Sequence, residues 1–291
     1  MSNPSLFKSA EGSKQYLATY ATALARWPVP HQELQVKTSF GITHVNAAGA
    51  ANLPPLLLLH AFGSSSTAWY NNIAGLSQDF RVYAPDVIDQ PGKSVRSCPA
   101  LARPDYAAWL TELLDGHKID QCSLIGHSFG GWLAINFALA APARIDRLAL
   151  LSPAASFAPL VPQFYLRGML ANLIPARRLV FSMLHWMSYT PLDPASPDVE
   201  QFFMAVRYFN LTHLKPPTVY RDEELRRLSM PVLLLIGEHE VIYQVGQVIE
   251  RARRLLPQVE TSLIAGGGHA FPAEQPAATN ARLLKFLTAD Q

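Results

Sequence analysis

The sequence predicts an α/β fold, a mostly parallel central sheet with helices on both faces and a helical cap inserted once into it. Three observations predict it. Short, continuous apolar runs recur at residues 56–59, 81–84, 123–125, 147–151, 232–236 and 261–264, and such runs, without polar alternation, read as strands covered on both faces. Longer stretches with apolar residues three and four apart separate them, at residues 67–77, 104–116, 130–140, 245–256 and 276–288; strands alternating with helices make a parallel sheet. The alternation then breaks between Pro153 and Leu228.

Taken in order, the elements divide the chain three ways. Residues 1–37 form an N-terminal helical extension: Tyr16, Leu17, Tyr20, Leu24 and Trp27 fall at helical spacing, and Pro28 and Pro30 end the run. Its apolar stripe is expected to pack on the main body rather than on a partner. Residues 36–45 alternate like a strand, and residues 46–52 make a small-residue turn. The α/β core takes residues 38–153 and 229–291. Residues 154–228 form the cap, helical and rich in aromatics and Met, among them Phe157, Phe164, Met183, Met187, Phe202 and Phe203. Most of these must pack internally, leaving a few to line a pocket.

Composition bounds the function. With 291 residues, 49% hydrophobic and only 16% charged, the chain can bury a large core and is not a disordered one. Lys and Arg total 24 against 22 Asp and Glu, a net charge of +2. That lacks the basic excess a nucleic-acid binder needs, so no nucleic-acid partner is expected. Cys98 and Cys122 form neither a disulfide framework nor a metal set. The polar N-terminus has no signal-peptide pattern, and the aliphatic stretch at residues 53–59 is far too short to span a bilayer. The expectation is a cytoplasmic protein with no membrane span; an apolar cap surface is compatible with a homodimer.

The chemistry concentrates at three places. Gly126-His127-Ser128-Phe129-Gly130 follows one apolar run and opens a helix, the strand–turn–helix setting in which Gly-x-Ser-x-Gly lifts a serine hydroxyl clear of the sheet. Side chains at 126 or 130 would collide with the neighbouring helix and strand. A serine needs a base to take its proton, and His269 follows the last run in Ala265-Gly266-Gly267-Gly268-His269, where the glycines let the backbone bend. The base needs an orienting carboxylate, supplied by Gly237-Glu238-His239-Glu240; Glu240 is the choice and Glu238 its nearest rival.

Other matches fail. Gly92-Lys93-Ser94 lacks the first glycine of a phosphate loop, and no His-Glu-x-x-His occurs, so neither metal nor cofactor is called for. Asn210-Leu211-Thr212 is a formal glycosylation sequon, and Arg226-Arg227 and the arginines of 251–254 read as solvated helix faces. Trp132 and Phe137 read as core rather than substrate contacts.

With these residues in hand, the chain resembles the α/β-hydrolase fold family, close to its carboxylesterase-like members with a helical cap, over residues 38–288. Leu59-His60-Ala61-Phe62-Gly63 resembles the family's oxyanion loop. The resemblance implies that the backbone N–H groups of Phe62 and Phe129 form the oxyanion hole, with His60 bracing the loop. Ala61 stands where the family usually has Gly, and Glu240 where Asp is usual; residues 86–97 depart from the family pattern and carry no functional reading. A serine at 128 excludes dehalogenation and epoxide opening, which use Asp there. The implied reaction is ester hydrolysis through an acyl-enzyme, on a small-molecule ester with an apolar group. A lactonase, a cofactor-free perhydrolase of the haloperoxidase type, a ligand-sensing protein or an inert member would carry the same residues.

Overall fold

The computed structural model describes residues 6–99, 101–210 and 216–289. Leu211 and Thr212 of the sequon and the first five residues of the N-terminus lie outside them. Helix α1 (Ala10–Leu24) opens on Ser9, whose hydroxyl accepts the Gly12 amide. Strands β1 (His31–Thr38) and β2 (Gly41–Ala48) form an antiparallel hairpin. The alternation at 36–45 therefore spans a reversal rather than one strand. Gly41 makes the turn at φ 138°, with no room for a Cβ against the Val95 carbonyl. The sheet thus begins at His31, and β1 crosses the expected boundary at residue 37.

Then follow β3 (Pro55–Leu59), α2 (Tyr70–Asp79), β4 (Arg81–Pro85), the short β5 (Val95–Arg96), α3 (Arg103–Gly116), β6 (Cys122–His127), α4 (Phe129–Ala140) and β7 (Ile145–Leu151). Between β7 and the next strand lie α5 (Pro162–Leu173), α6 (Arg177–Met187), α7 (Pro197–Tyr208) and α8 (Asp222–Leu225), with no sheet strand among the described residues. The chain closes with β8 (Val232–Gly237), α9 (Val245–Leu255), β9 (Glu260–Ile264), α10 (Phe271–Glu274) and α11 (Pro276–Leu287). The sheet runs β1-β2-β4-β3-β6-β7-β8-β9, with β5 on β2. β4, β3, β6, β7, β8 and β9 are mutually parallel, while β2 meets β1, β4 and β5 antiparallel.

Side-chain alternation splits the core in two. Leu57, Leu59, Leu124, Leu150 and Ile236 pack with α3, α4 and α9 on one face. Leu56, Leu58, Ile125, Leu151 and Leu235 pack with α1, α2 and α11 on the other. β3, β6 and β8 are buried on both sides and have no polar face, which is why their runs read as continuously apolar; β9, at the edge of the sheet, departs from that expectation, with only Ile264 buried. Each fully buried Leu contributes roughly 1.5–3 kcal/mol over exposure. Trp132 and Phe137 join the first face. Arg251 departs from the solvated-face expectation: it donates to the Phe157 and Tyr220 carbonyls and to Asp222, tying the α8 region to α9. Asp86 is wholly buried, accepting the Ser66 amide and hydroxyl and the Lys93 amide beside His44. It fastens the chain that follows the His60 loop.

Candidate active site

Ser128 stands between β6 and α4 at φ 53°, ψ −115°, a conformation that L-residues adopt only under constraint. The constraint is packing without side chains. A Cβ on Gly126 would lie 2.3 Å from the Gly130 carbonyl oxygen, and one on Gly130 would lie 2.1 Å from that of Leu59. Helix and strands therefore close up until the serine is pushed out at the carboxyl edge of the sheet. The Ser128 amide donates to the Leu151 carbonyl, which pins the turn to β7.

His269 lies between β9 and α10. Of its three preceding glycines only Gly266 takes a positive φ, 64°. Gly267 and Gly268 are there for space: a Cβ would come within 2.6 Å of Phe271 Cβ and of the Tyr189 amide nitrogen respectively. The bend expected of the whole run belongs to one residue. The loop delivers His269 Nε2 to 2.9 Å from Ser128 Oγ and Nδ1 to 2.7 Å from Glu240 Oε2. With the proton on Nδ1 donated to Glu240, Nε2 is left to accept the serine hydroxyl. All three side chains are buried.

Glu240 uses its other oxygen, Oε1, to accept the Val241 and Ile242 amides at 2.8 and 3.0 Å. Burial pushes its carboxyl up, but the facing His269, their hydrogen bond and the Ile242 amide outweigh that and hold it below the ordinary carboxylate value. Glu238 is half-exposed and points elsewhere, accepting the Gly266 amide at 3.0 Å.

The loop after β3 faces the serine from the other side. The amides of Phe62 and Phe129 donate to no acceptor among the described residues, and their rings meet edge to face at 6.0 Å. His60 accepts the Val87 amide on Nε2 at 3.0 Å, and its Nδ1 lies 2.9 Å from the Ala61 carbonyl oxygen. The Gly63 amide donates to Gln90. This bracing holds the loop although residue 61 carries a methyl group.

Three contacts escaped the sequence reading. His127 Nε2 lies 2.9 Å from the His269 carbonyl oxygen. The His269 amide donates to the Met187 carbonyl at the end of α6. Glu274 Oε2 accepts the Gly268 amide at 2.7 Å, and Oε1 accepts the Tyr189 and Thr190 amides at 2.6 and 2.8 Å. One carboxylate thus clamps the histidine loop to the chain leaving α6. Such side-chain-to-amide contacts across some 80 residues leave no periodic trace; His127 alone had a signal, its place beside the serine.

A cavity of about 370 Å³ opens over Ser128 and His269. Phe164, Met183, Leu184, Met187 and Phe202 line it from the segment between β7 and β8, while Phe157 and Phe209 are buried away from it. No helix among the described residues is long and apolar enough to cross a membrane.

The model of the alpha/beta hydrolase fold matches residues 54–276. An uncharacterized carboxylesterase, nap, of Bacillus subtilis (strain 168) is 38% identical over 284 residues, covering 95% of this chain and 93% of that protein. Carboxylesterase YbfK of the same strain is 35% identical over 287 residues, covering 97% and 96%. Among solved structures, naproxen esterase (carboxylesterase NP) from Bacillus subtilis superposes with a TM-score of 0.90 at 37% identity, covering 96% of this chain and 99% of that one. Fold, strand order and near-full-length identity agree: the chain belongs to the α/β-hydrolase fold family, among its carboxylesterase-like members.

Proposed function

We propose that the protein hydrolyses carboxylic esters through a Ser128–His269–Glu240 triad and an acyl-enzyme. The hydrogen-bonded line from Ser128 through His269 to Glu240 carries the reading. His269 Nε2 takes the hydroxyl proton as Ser128 Oγ attacks the ester carbonyl carbon, and the carbonyl π electrons move onto oxygen. The Phe62 and Phe129 amides, with the N-terminus of α4 behind the second, are available to that oxyanion. Its collapse expels the alkoxide, which takes the proton from His269. Water then gives a proton to His269 and attacks the acyl carbon, and collapse returns the proton to Ser128 and frees the acid. Glu240, held ionised, keeps Nδ1 protonated and stabilises the imidazolium formed in each half.

Residues 154–228 act in this reading as a cap over the cavity. Its Phe, Met and Leu lining favours an uncharged ester with an apolar acyl or alkyl group. The test is a panel of p-nitrophenyl esters of rising acyl length, with aromatic esters added. Ser128→Ala should lower kcat/KM by a factor of about 10⁴ or more, and a fluorophosphonate should label Ser128. No turnover across the panel together with an unlabelled Ser128 sinks the proposal.

A further inference from the structure

We propose that the outward face of α5 docks on an anionic lipid surface. α5 is amphipathic the wrong way round for a surface helix of a free-standing soluble protein. Its small residues face the body: Ala171 is buried, and Gly168 sits against Met183. Apart from Phe164, which packs inward, its large apolar residues face out. Tyr165, Leu166, Met169, Leu170 and Leu173 fall at i, i+1, i+4, i+5 and i+8, one stripe, and Ile174 extends it. Leu170 is the least exposed of them at 39% and Leu173 the most at 68%. An apolar stripe of this extent on a helix marks a contact surface.

Charge selects the occupant. No Asp or Glu occurs from residue 147 to residue 192, and α5 and α6 carry Arg167, Arg177 and Arg178. Arg177 is paired with Glu200 of α7. Among the described residues Arg167 reaches the neutral Ser182 hydroxyl and the Trp186 ring and no carboxylate, and Arg178 is exposed. An apolar stripe flanked by unneutralised arginines is the composition that lies in the headgroup region of anionic membranes. A second copy fits less well, because a two-fold contact buries the same face twice and, from residues 147 to 192, supplies arginines but no carboxylate to pair with them. Phe164 at the start of α5 and Met183 and Met187 of α6 line the cavity, so a docked surface stands next to its wall.

Binding is independent of the proposed ester chemistry and is measured apart from it. The full chain carrying Ser128→Ala, which spares the lipid, is sedimented with sucrose-loaded vesicles at low salt. Vesicles of equal parts phosphatidylglycerol and phosphatidylcholine should bind about tenfold more than pure phosphatidylcholine, and added salt should release the protein. Leu166→Asp combined with Leu173→Asp should weaken binding about tenfold or more. With Ser128 intact, the same pair should leave hydrolysis of a soluble short-chain ester unchanged, which shows that the fold persists. Equal binding to both vesicles, binding untouched by the two substitutions, or no binding overturns the proposal. So does a concentration-dependent dimer in sedimentation velocity that the substitutions abolish, which would give the face to a second copy.

Discussion

His127 stands immediately before the strained serine and holds the carbonyl of His269. Burial, and then the neighbouring His269, push its pKa down to about 3, against an ordinary value near 6.5. It is therefore neutral in the folded protein, donating from Nε2. Between those two values the unfolded chain takes a proton that the folded one refuses, so the residue's contribution to stability is complete above about 6.5 and is lost as pH falls toward 3. Replacing it with Gln, which keeps a donor at similar reach, should flatten the acid limb of urea-unfolding stability by up to about 1.4 kcal/mol per pH unit in that window. An unchanged slope would count against this assignment. Glu240 works in the same direction, since its lowered pKa also withdraws stability on acidification.

At the scale of elements, the histidine loop is held from two sides. β9 and β8 fix its base, where the Glu238 and His239 amides donate to Ile264 and Gly267. The end of α6 fixes its tip through the Met187 carbonyl and Glu274. Displacing a base by about 1 Å can cost on the order of 10² in rate. Glu274→Ala should therefore lower kcat by about tenfold or more while the urea midpoint moves little, and Glu274→Gln should fall between the two. Loss confined to the midpoint, with kcat intact, would make Glu274 a purely structural clamp. The proximity of Ser128, Glu240 and His269 was legible because each follows an apolar strand, and parallel strands deliver their carboxyl ends to one edge. Glu274 was not, since its partners are three main-chain amides and the Thr190 hydroxyl, and nothing in residue type marks them.

For the whole molecule, α1 joins the N-terminus to the segment above the site. Tyr16 and Tyr20 are fully buried; Gln201 of α7 donates to the Tyr16 and Ser65 hydroxyls, and Tyr20 shares a hydrogen-bonded group with Ser66 and Asn46. Lys8 reaches the last carbonyls of α7. The helix was legible from its three- and four-residue spacing. Its contact with α7 was not, because residues 185 to 199 positions apart share no local pattern. Removing residues 1–27 should lower Tm by about 10 °C or more, since several large side chains lose their burial. Hydrolysis should fall with it, because Ser65 and Ser66 follow directly on the His60 loop. A truncated chain with unchanged Tm would show that α1 is an ornament.

The clamp between Glu274 and the chain leaving α6 also bears on how such enzymes diversify. A segment spliced in from a relative to alter substrate preference brings its own turn after α6, and with it a different set of amides to meet residues 268–274. Chimeras that exchange residues 154–228 alone should lose turnover on every ester alike. Those that carry residues 266–274 from the same donor should recover it. That outcome would make preference and rate a linked pair, joined by two stretches of chain that meet through Glu274 in the folded molecule.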